Sequence, residues 1–136
     1  MSKSNTELVL ENLAGFDRLD YEFVANGYAQ DATLHFMQDE PIHGRANILA
    51  FFQRQFAPIN STRIEIVNAI ESGDLVMVER IDHYEWKGIP VSCPVANATE
   101  VEDGKITVWR EYYDKQFAAD QVIAQSEARA AAEGSA

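Results

Sequence analysis

The first half of the chain carries apolar residues at the spacing of an amphipathic helix in three separate stretches. The first predicted helix covers about residues 5–15 and ends at Gly15. The second runs through residues 19–28, and the third, which is strongly apolar, covers residues 48–56 and ends before Pro58. Between these two helices, an alternating segment at 32–37 is typical of a strand. This half of the chain is therefore predicted to be mainly helical.

Beyond residue 62 the period of the apolar residues changes from that of a helix to that of a strand. Short turns that contain glycine separate four segments rich in Val, Ile, Tyr and Trp, which cover residues 63–70, 75–86, 89–101 and 105–117. Helices followed by such a meander predict an α+β fold, in which three N-terminal helices wrap a strongly curved mixed β-sheet and enclose an internal apolar pocket. The last residues are rich in Ala, Gln and Glu, so we expect a loose helix or disorder there.

Length and composition indicate one domain. The chain has 136 residues, of which 46% are hydrophobic and 24% charged, as is ordinary for a globular fold. No linker or repeat divides it, so we place a single domain over residues 1–117 and a C-terminal tail over 118–136. The net charge of −11 disfavours nucleic acid and membranes as partners, and no stretch is apolar enough to cross a bilayer. One cysteine and no signal peptide at the start predict a cytoplasmic protein.

Charged residues interrupt apolar faces on two of the predicted strands. Because alternate residues of a strand share a face, Arg80 and Asp82 lie together on the face that also carries Val78. Glu111 shares a face of the last strand with Trp109. An arginine between two carboxylates binds both by charge-assisted hydrogen bonds, which lets one carboxylate act as a base while the other carries a proton. Solvated cross-strand ion pairs would give the same pattern, and the spacing leaves both interpretations open.

Other candidates for chemistry have less support. His35, His43 and His83 lack the spacing of metal ligands, so no metal site is predicted. A glycine-rich phosphate loop is absent from the sequence, so we expect no nucleotide cofactor. Cys93 has no visible histidine partner and is interpreted as a small residue of the core.

Three short segments of the sequence resemble the limonene epoxide hydrolase family, whose domains have the SnoaL-like, cystatin-like cone fold. They are VERID at 78–82, EDGKIT at 102–107 and WREYYD at 109–114, and the stretch from Asp31 to Gly44-Arg45 is similar as well. The resemblance covers about residues 8–117. It implies a homodimer of cones with deep apolar pockets and no cofactor. Related cones include ketosteroid isomerases, SnoaL-type polyketide cyclases and nuclear transport factor.

In that family an Arg-x-Asp pair and a later Asp form the catalytic set, and the matching residues are Arg80, Asp82 and Glu111. The resemblance implies that water opens an epoxide in one step. Glu111 would take a proton from the water, Asp82 would protonate the departing oxygen, and Arg80 would hold both carboxylates. The family has the shorter Asp where this chain has Glu111.

A second departure from the family concerns the attacking water. The family holds its water with a Tyr and an Asn two residues apart on the first strand, where this chain has Leu34 and Phe36. Neither side chain can form a hydrogen bond with water. The candidates to replace them are Tyr21, Tyr28 and Asn97. The residues predicted to line the substrate pocket are Leu34, Phe36, Val78 and Trp109.

Three functions remain open on the sequence. The leading hypothesis is an enzyme that hydrolyses a small apolar epoxide. The second is an isomerase or cyclase of the ketosteroid isomerase or SnoaL type, which moves protons without adding water and would suit the apolar Leu34 and Phe36. The third is a non-catalytic module that binds an apolar ligand. Arg80 and Asp82 count against it, because a passive apolar pocket gains nothing from the desolvation cost of buried charge.

Overall fold

The computed structural model describes residues 3–134. Its helices are α1 (Asn5–Asp17), α2 (Tyr21–Asn26), α3 (Arg45–Gln55) and α4 (Lys115–Gly134). Its strands are β1 (Tyr28–Phe36), β2 (Ile42–His43), β3 (Ile59–Ser72), β4 (Leu75–Trp86), β5 (Ile89–Glu102) and β6 (Lys105–Tyr113). They form one sheet in the order β2-β1-β6-β5-β4-β3, in which β1 and β6 are parallel and the other neighbours antiparallel. The predicted α+β class with a mixed sheet and wrapping helices is confirmed.

Two tight turns set the register of the meander. Lys87 and Gly88 have φ angles of 51° and 79°, and Asp103 and Gly104 have φ angles of 50° and 75°. Positive φ at both central residues is what a two-residue hairpin turn of type I′ requires. The turns pair Trp86 with Ile89 and Glu102 with Lys105. The first register continues along all of β4, whereas a bulge between Glu100 and Val101 shifts the pairing of β5 with β6 by one residue. As a result, the even residues of β4 and the odd residues of β5 share the inner face of the sheet.

The boundaries of the first two helices differ from the prediction. Gly15 does not end α1, which continues to Asp17. A Cβ atom on Gly15 would lie 2.7 Å from Phe23 and 2.8 Å from Val24, so the glycine is required for close packing of α2 on α1. The predicted end of the second helix, Tyr28, is instead the first residue of β1, where it pairs with β6.

The C-terminal tail contains a regular helix, α4, and β6 ends at Tyr113 instead of residue 117. The Gln121 amide donates to the Ser92 carbonyl at 2.9 Å and accepts from the Ser92 N–H at 3.0 Å, and the Gln125 amide donates to the Pro90 carbonyl at 2.7 Å. The pairing of β6 with β5 reaches only as far as Val95, so β5 extends beyond it. The glutamine side chains of α4 form hydrogen bonds with backbone groups in this unpaired part of β5. Residues 135–136 of the tail and 1–2 of the domain lie outside the described residues.

Two clusters of apolar side chains form the core. The larger one packs α1, α2 and α3 on the inner face of the sheet and includes Val9, Leu13, Ile48, Phe52 and Val78. The smaller one packs α4 on β5 through Ala118, Val91, Cys93 and Val95. Within residues 3–134, no helix is long and apolar enough to cross a membrane. Between the two clusters the inner face of the sheet stays open, and the candidate site lies there.

Candidate active site

A cavity of about 540 Å³ lies between the inner face of the sheet and the helices. Its helical wall is aromatic, since the rings of Phe16, Tyr21, Phe51, Phe52 and Phe56 line it and contact one another. Its opposite wall is the sheet, which contributes charged and polar side chains. The cavity therefore offers an apolar ligand a large aromatic surface on one side and a small set of polar groups on the other.

Arg80 occupies the centre of the polar wall, and 3% of its side chain is exposed. Its Nε donates to Asp82 Oδ1 at 2.9 Å, and its Nη2 donates to Asp82 Oδ2 at 3.2 Å. The same Nη2 donates to Glu111 Oε2 at 2.7 Å. The structure thus brings together the three residues that the sequence placed in one set. Because all three line the cavity, they are not the solvated cross-strand ion pairs that the sequence also allowed.

Three further side chains hold this set in place. Arg80 Nη1 donates to Asn97 Oδ1 at 2.6 Å, and Asn97 Nδ2 donates to Thr99 Oγ1 at 2.8 Å. The indole N–H of Trp109 donates to Glu111 Oε1 at 2.8 Å. Asn97 is therefore a support for Arg80, and it does not line the cavity in which a water ligand would have to lie. The alternation of β5, which puts Asn97 and Thr99 on one face, was the signal in the sequence that could have shown this role.

The charge state of Arg80 follows from its neighbours. Burial by itself would lower the pKa of the Arg80 guanidinium, because it disfavours the charged form. The adjacent carboxylates of Glu111 and Asp82 outweigh this effect, and the pKa of Arg80 is raised. Arg80 is therefore a permanent cation that lies between the two carboxylates and compensates their charge.

Three of the four predicted pocket residues line the cavity, namely Leu34, Phe36 and Trp109. Val78 is the exception, and its prediction as a pocket residue is wrong. It is 1% exposed and belongs to the core cluster that also contains Val9 and Leu13 of α1. The alternation of side chains along β4 correctly placed Val78 on the same face as Arg80, but α1 covers that end of β4.

Several cavity residues near α4 were missed by the sequence analysis. Tyr84, Cys93 and Tyr113 line this part of the cavity. Burial raises the pKa of Tyr84 and that of Tyr113 to about 12, and it raises the pKa of Cys93 to about 11. These groups are therefore uncharged near neutral pH, and Cys93 is a thiol. At the rim, Lys115 Nζ and Asp39 Oδ1 form an ion pair at 2.8 Å.

The three histidines do not contribute to the cavity lining. Within residues 3–134, no group of three or more His, Cys, Asp or Glu side chains is arranged to hold a metal ion. The polar set around Arg80 contains only acid, base and hydrogen-bonding groups. It can therefore carry out proton transfer with its own side chains.

Solved structures show the same fold in other proteins. An epoxide hydrolase of Mycobacterium tuberculosis, described as similar to limonene epoxide hydrolases, has 21% identity and a TM-score of 0.79, with 93% of this chain and 95% of that chain covered. A candidate SnoaL-like polyketide cyclase of Shewanella denitrificans has 20% identity and a TM-score of 0.80, with 88% and 97% covered. A protein of Catenulispora acidiphila with a ketosteroid isomerase-like fold, solved with trimethylamine, has 23% identity and a TM-score of 0.79, with 87% and 93% covered.

These similarities show the fold, and the fold occurs in proteins with different activities. No curated protein sequence matches this chain at a significant level. The family model for the SnoaL-like domain matches residues 9–109. This range begins within α1, ends within β6 at Trp109, and includes two of the three residues of the charged set. The chain therefore belongs to the SnoaL-like domain family.

Proposed function

We propose that this protein hydrolyses a small apolar epoxide by one-step general acid and base catalysis. The observation that carries the proposal is the arrangement of Asp82, Arg80 and Glu111 in the wall of an apolar cavity. A cavity that only binds apolar ligands would gain nothing from these charges, whose burial costs free energy. The Mycobacterium tuberculosis structure supports the proposal, since a hydrolase with this fold has already been described.

Each residue of the set has one role in the proposed reaction. Glu111 takes a proton from a water molecule, and the water oxygen forms a bond to one carbon of the epoxide. The bond from that carbon to the epoxide oxygen breaks, and protonated Asp82 transfers its proton to this oxygen. The product is a diol, which leaves Glu111 protonated and Asp82 ionised. Return of one proton from Glu111 to Asp82 completes the cycle, and Arg80 holds both groups at hydrogen-bond distance throughout.

A second candidate function is isomerisation or cyclisation without water. One observation favours it: Leu34 and Phe36 line the cavity, and neither side chain can hold a water molecule. The same acid and base would then move protons within the substrate. The candidate cyclase from Shewanella denitrificans shares the fold, as does the Catenulispora protein with its isomerase-like fold.

Incubation with epoxides in water labelled with ¹⁸O distinguishes the two functions. We expect a diol that carries the label at one carbon, because the hydrolase adds an oxygen from water. The panel consists of terpene, steroid and aryl epoxides, since an aromatic wall accepts any of these apolar skeletons. The control is the same panel without protein. Unlabelled isomer or cyclised product, without diol, would contradict hydrolysis and support the second function.

We also propose that two copies of the chain form a dimer through the outer face of the sheet. Val67, Ile70 and Met77 are exposed there to 46%, 67% and 42%, and exposed apolar patches often mark an interface. We expect light scattering to give twice the 15.3 kDa of one chain. Ile70→Glu should produce monomers, whereas Ile123→Glu on α4, where the side chain is 52% exposed, should not. A monomeric parent protein at micromolar concentration would contradict the dimer.

A further inference from the structure

A second group of polar side chains lies on the outer face of the sheet, on the side away from the cavity. His83 Nδ1 lies 2.7 Å from Ser92 Oγ, and His83 Nε2 lies 2.9 Å from Glu65 Oε1. The three residues belong to the neighbouring strands β4, β5 and β3, with the histidine on the middle strand. None of them lines the cavity, so the proposed hydrolysis gives them no role.

The pairing of the strands brings these three side chains together. His83 lies directly opposite Ser92 in the register of β4 and β5. The N–H and the carbonyl of Ser92 both bond to the Gln121 side chain, which covers the other side of β5. His83 and Ser92 therefore form a pair without backbone hydrogen bonds between them, the kind in which opposite side chains lie closest. Glu65 is the diagonal neighbour of His83 on β3, within reach of a long side chain.

The hydrogen bonds determine which nitrogen of the neutral His83 ring carries the hydrogen. An ionised carboxylate only accepts hydrogen bonds, so Nε2 donates to Glu65. Nδ1 is then the acceptor of the ring, and the Ser92 hydroxyl donates to it. A serine that donates to an imidazole, whose other nitrogen donates to a carboxylate, is the arrangement that activates serine as a nucleophile. The two nitrogens exchange places relative to the usual triad, and either one can accept a proton.

A small molecule can reach Ser92 from the solvent. Ser92 is exposed, and the side chains of His83 and Glu65 are 27% and 47% exposed. Met77, which belongs to the proposed dimer contact, lies six residues from His83 along β4, or about 20 Å at the rise of a strand. The serine is therefore well separated from that residue of the contact.

The surface beside Ser92 indicates the size of the group that it can accept. Ile81 and Pro94 form the next pair of β4 and β5 and line a shallow groove. They offer an acyl group apolar contact directly beside the serine. The same groove extends to Val67, which belongs to the proposed dimer contact. We therefore expect a short acyl group, which needs only the part of the groove next to Ser92.

One component of a fast serine hydrolase is not available at this site. The N–H of Ser92 is already bonded to Gln121, so it cannot stabilise an oxyanion that forms on a carbonyl group attacked by Ser92. The loss of one such donor typically lowers the rate by about 10²–10³-fold. Formation and hydrolysis of an acyl ester both pass through an oxyanion. We therefore expect acylation of the serine with slow release, not rapid turnover.

We propose that Ser92 is a nucleophile that His83 and Glu65 activate, and that it accepts the acyl group of activated short-chain esters. Ser92 Oγ forms a bond to the carbonyl carbon of the ester while its proton moves to His83 Nδ1. The bond from this carbon to the oxygen of the leaving alcohol breaks, and His83 transfers the proton to that oxygen. The products are an acyl ester on Ser92 and the free alcohol.

The test is incubation of the full chain with p-nitrophenyl acetate, followed by mass spectrometry of its peptides. We expect release of nitrophenol and one acetyl group on Ser92. Thr33 is the internal control, because its Oγ1 lies 3.0 Å from His43 Nδ1. His43 has no carboxylate partner within residues 3–134, so Thr33 should remain unmodified. Acetyl groups only on lysines or on the N-terminal amine would overturn the proposal.

Two substitutions separate activation from simple exposure of the serine. His83→Gln should lower the rate of Ser92 acetylation by about 10²-fold or more, because it removes the general base. Glu65→Gln should lower it as well, since an amide can donate to Nε2 and favour the form of the ring whose Nδ1 carries the hydrogen. Circular dichroism checks folding, and the exposed Glu65→Gln provides the test where His83→Gln does not fold. His43→Gln is the matched control and should acetylate like the parent protein. Parental rates in folded His83→Gln or Glu65→Gln would overturn the proposal.

Ser92→Ala shows whether this site and the cavity are independent. The variant should lose the acetylation but keep its melting temperature, because Gln121 bonds to the backbone of Ser92 and not to its hydroxyl. It should also form diols at the parental rate, since Ser92 does not line the cavity. The proposed hydrolysis and this inference can therefore fail separately. Unchanged acetylation in Ser92→Ala would overturn the inference and leave hydrolysis intact.

Discussion

Glu111→Gln and Asp82→Asn are each expected to reduce the rate of diol formation by about 10²–10⁴-fold, the usual contribution of a general base or acid. Both changes keep the size and shape of the side chain and remove its ability to exchange a proton. In each variant the amide oxygen can accept one hydrogen bond from Arg80. The amide nitrogen cannot accept the second one, which Trp109 donates to Glu111 and Arg80 Nη2 donates to Asp82. Steady-state rates on an epoxide that the parent protein converts provide the measurement, with circular dichroism as the check on folding.

Glu100→Gln is the matched control for these two variants. Glu100 pairs with Arg110 at 2.6 Å, but on the outer face of the sheet, where the two side chains are 40% and 37% exposed. Glu100→Gln therefore removes a negative charge from a carboxylate–arginine pair, as the other two variants do, but outside the cavity. We expect its rate to stay near that of the parent protein. If Glu111→Gln retained the parental rate as well, Glu111 could not be the base.

Arg80→Ala is expected to cause the largest loss of stability of any single change in the site. The side chain is 3% exposed and its removal leaves Asp82 and Glu111 buried without their cation. Breaking a buried pair in this way lowers the free energy of unfolding by about 3–5 kcal/mol. Arg110→Ala, which breaks the exposed pair with Glu100, should cost at most about 1 kcal/mol. Urea unfolding of both variants measures the difference. Equal losses of unfolding free energy for Arg80→Ala and Arg110→Ala would show that the cavity set does not behave as a buried ion pair.

The sequence was most informative where a pattern repeats over many residues. The predicted strand 75–86 coincides with β4, because residues typical of strands continue over twelve positions and a turn bounds each end. The alternation of side chains in β4 and β6 then indicated that Arg80, Asp82 and Glu111 can lie close together on one side of the sheet. The predicted end of a helix was wrong where contacts with another element determine how far the helix continues. Gly15 favours a helix end by propensity, yet packing against Phe23 and Val24 keeps it inside α1.

By itself, the sequence determined the class of fold, the meander with its turns, and the three residues of the charged set, since each depends on spacing along the chain. Only the tertiary structure decided which inner-face residues line a cavity, because this depends on what the helices cover. Val78 shares its face of β4 with Arg80 and is covered by α1, while Tyr28, from a segment predicted as helix, reaches the cavity wall. Likewise, α4 packs where the unpaired end of β5 has backbone groups that require hydrogen-bond partners. No local pattern in the sequence of the tail indicates this requirement.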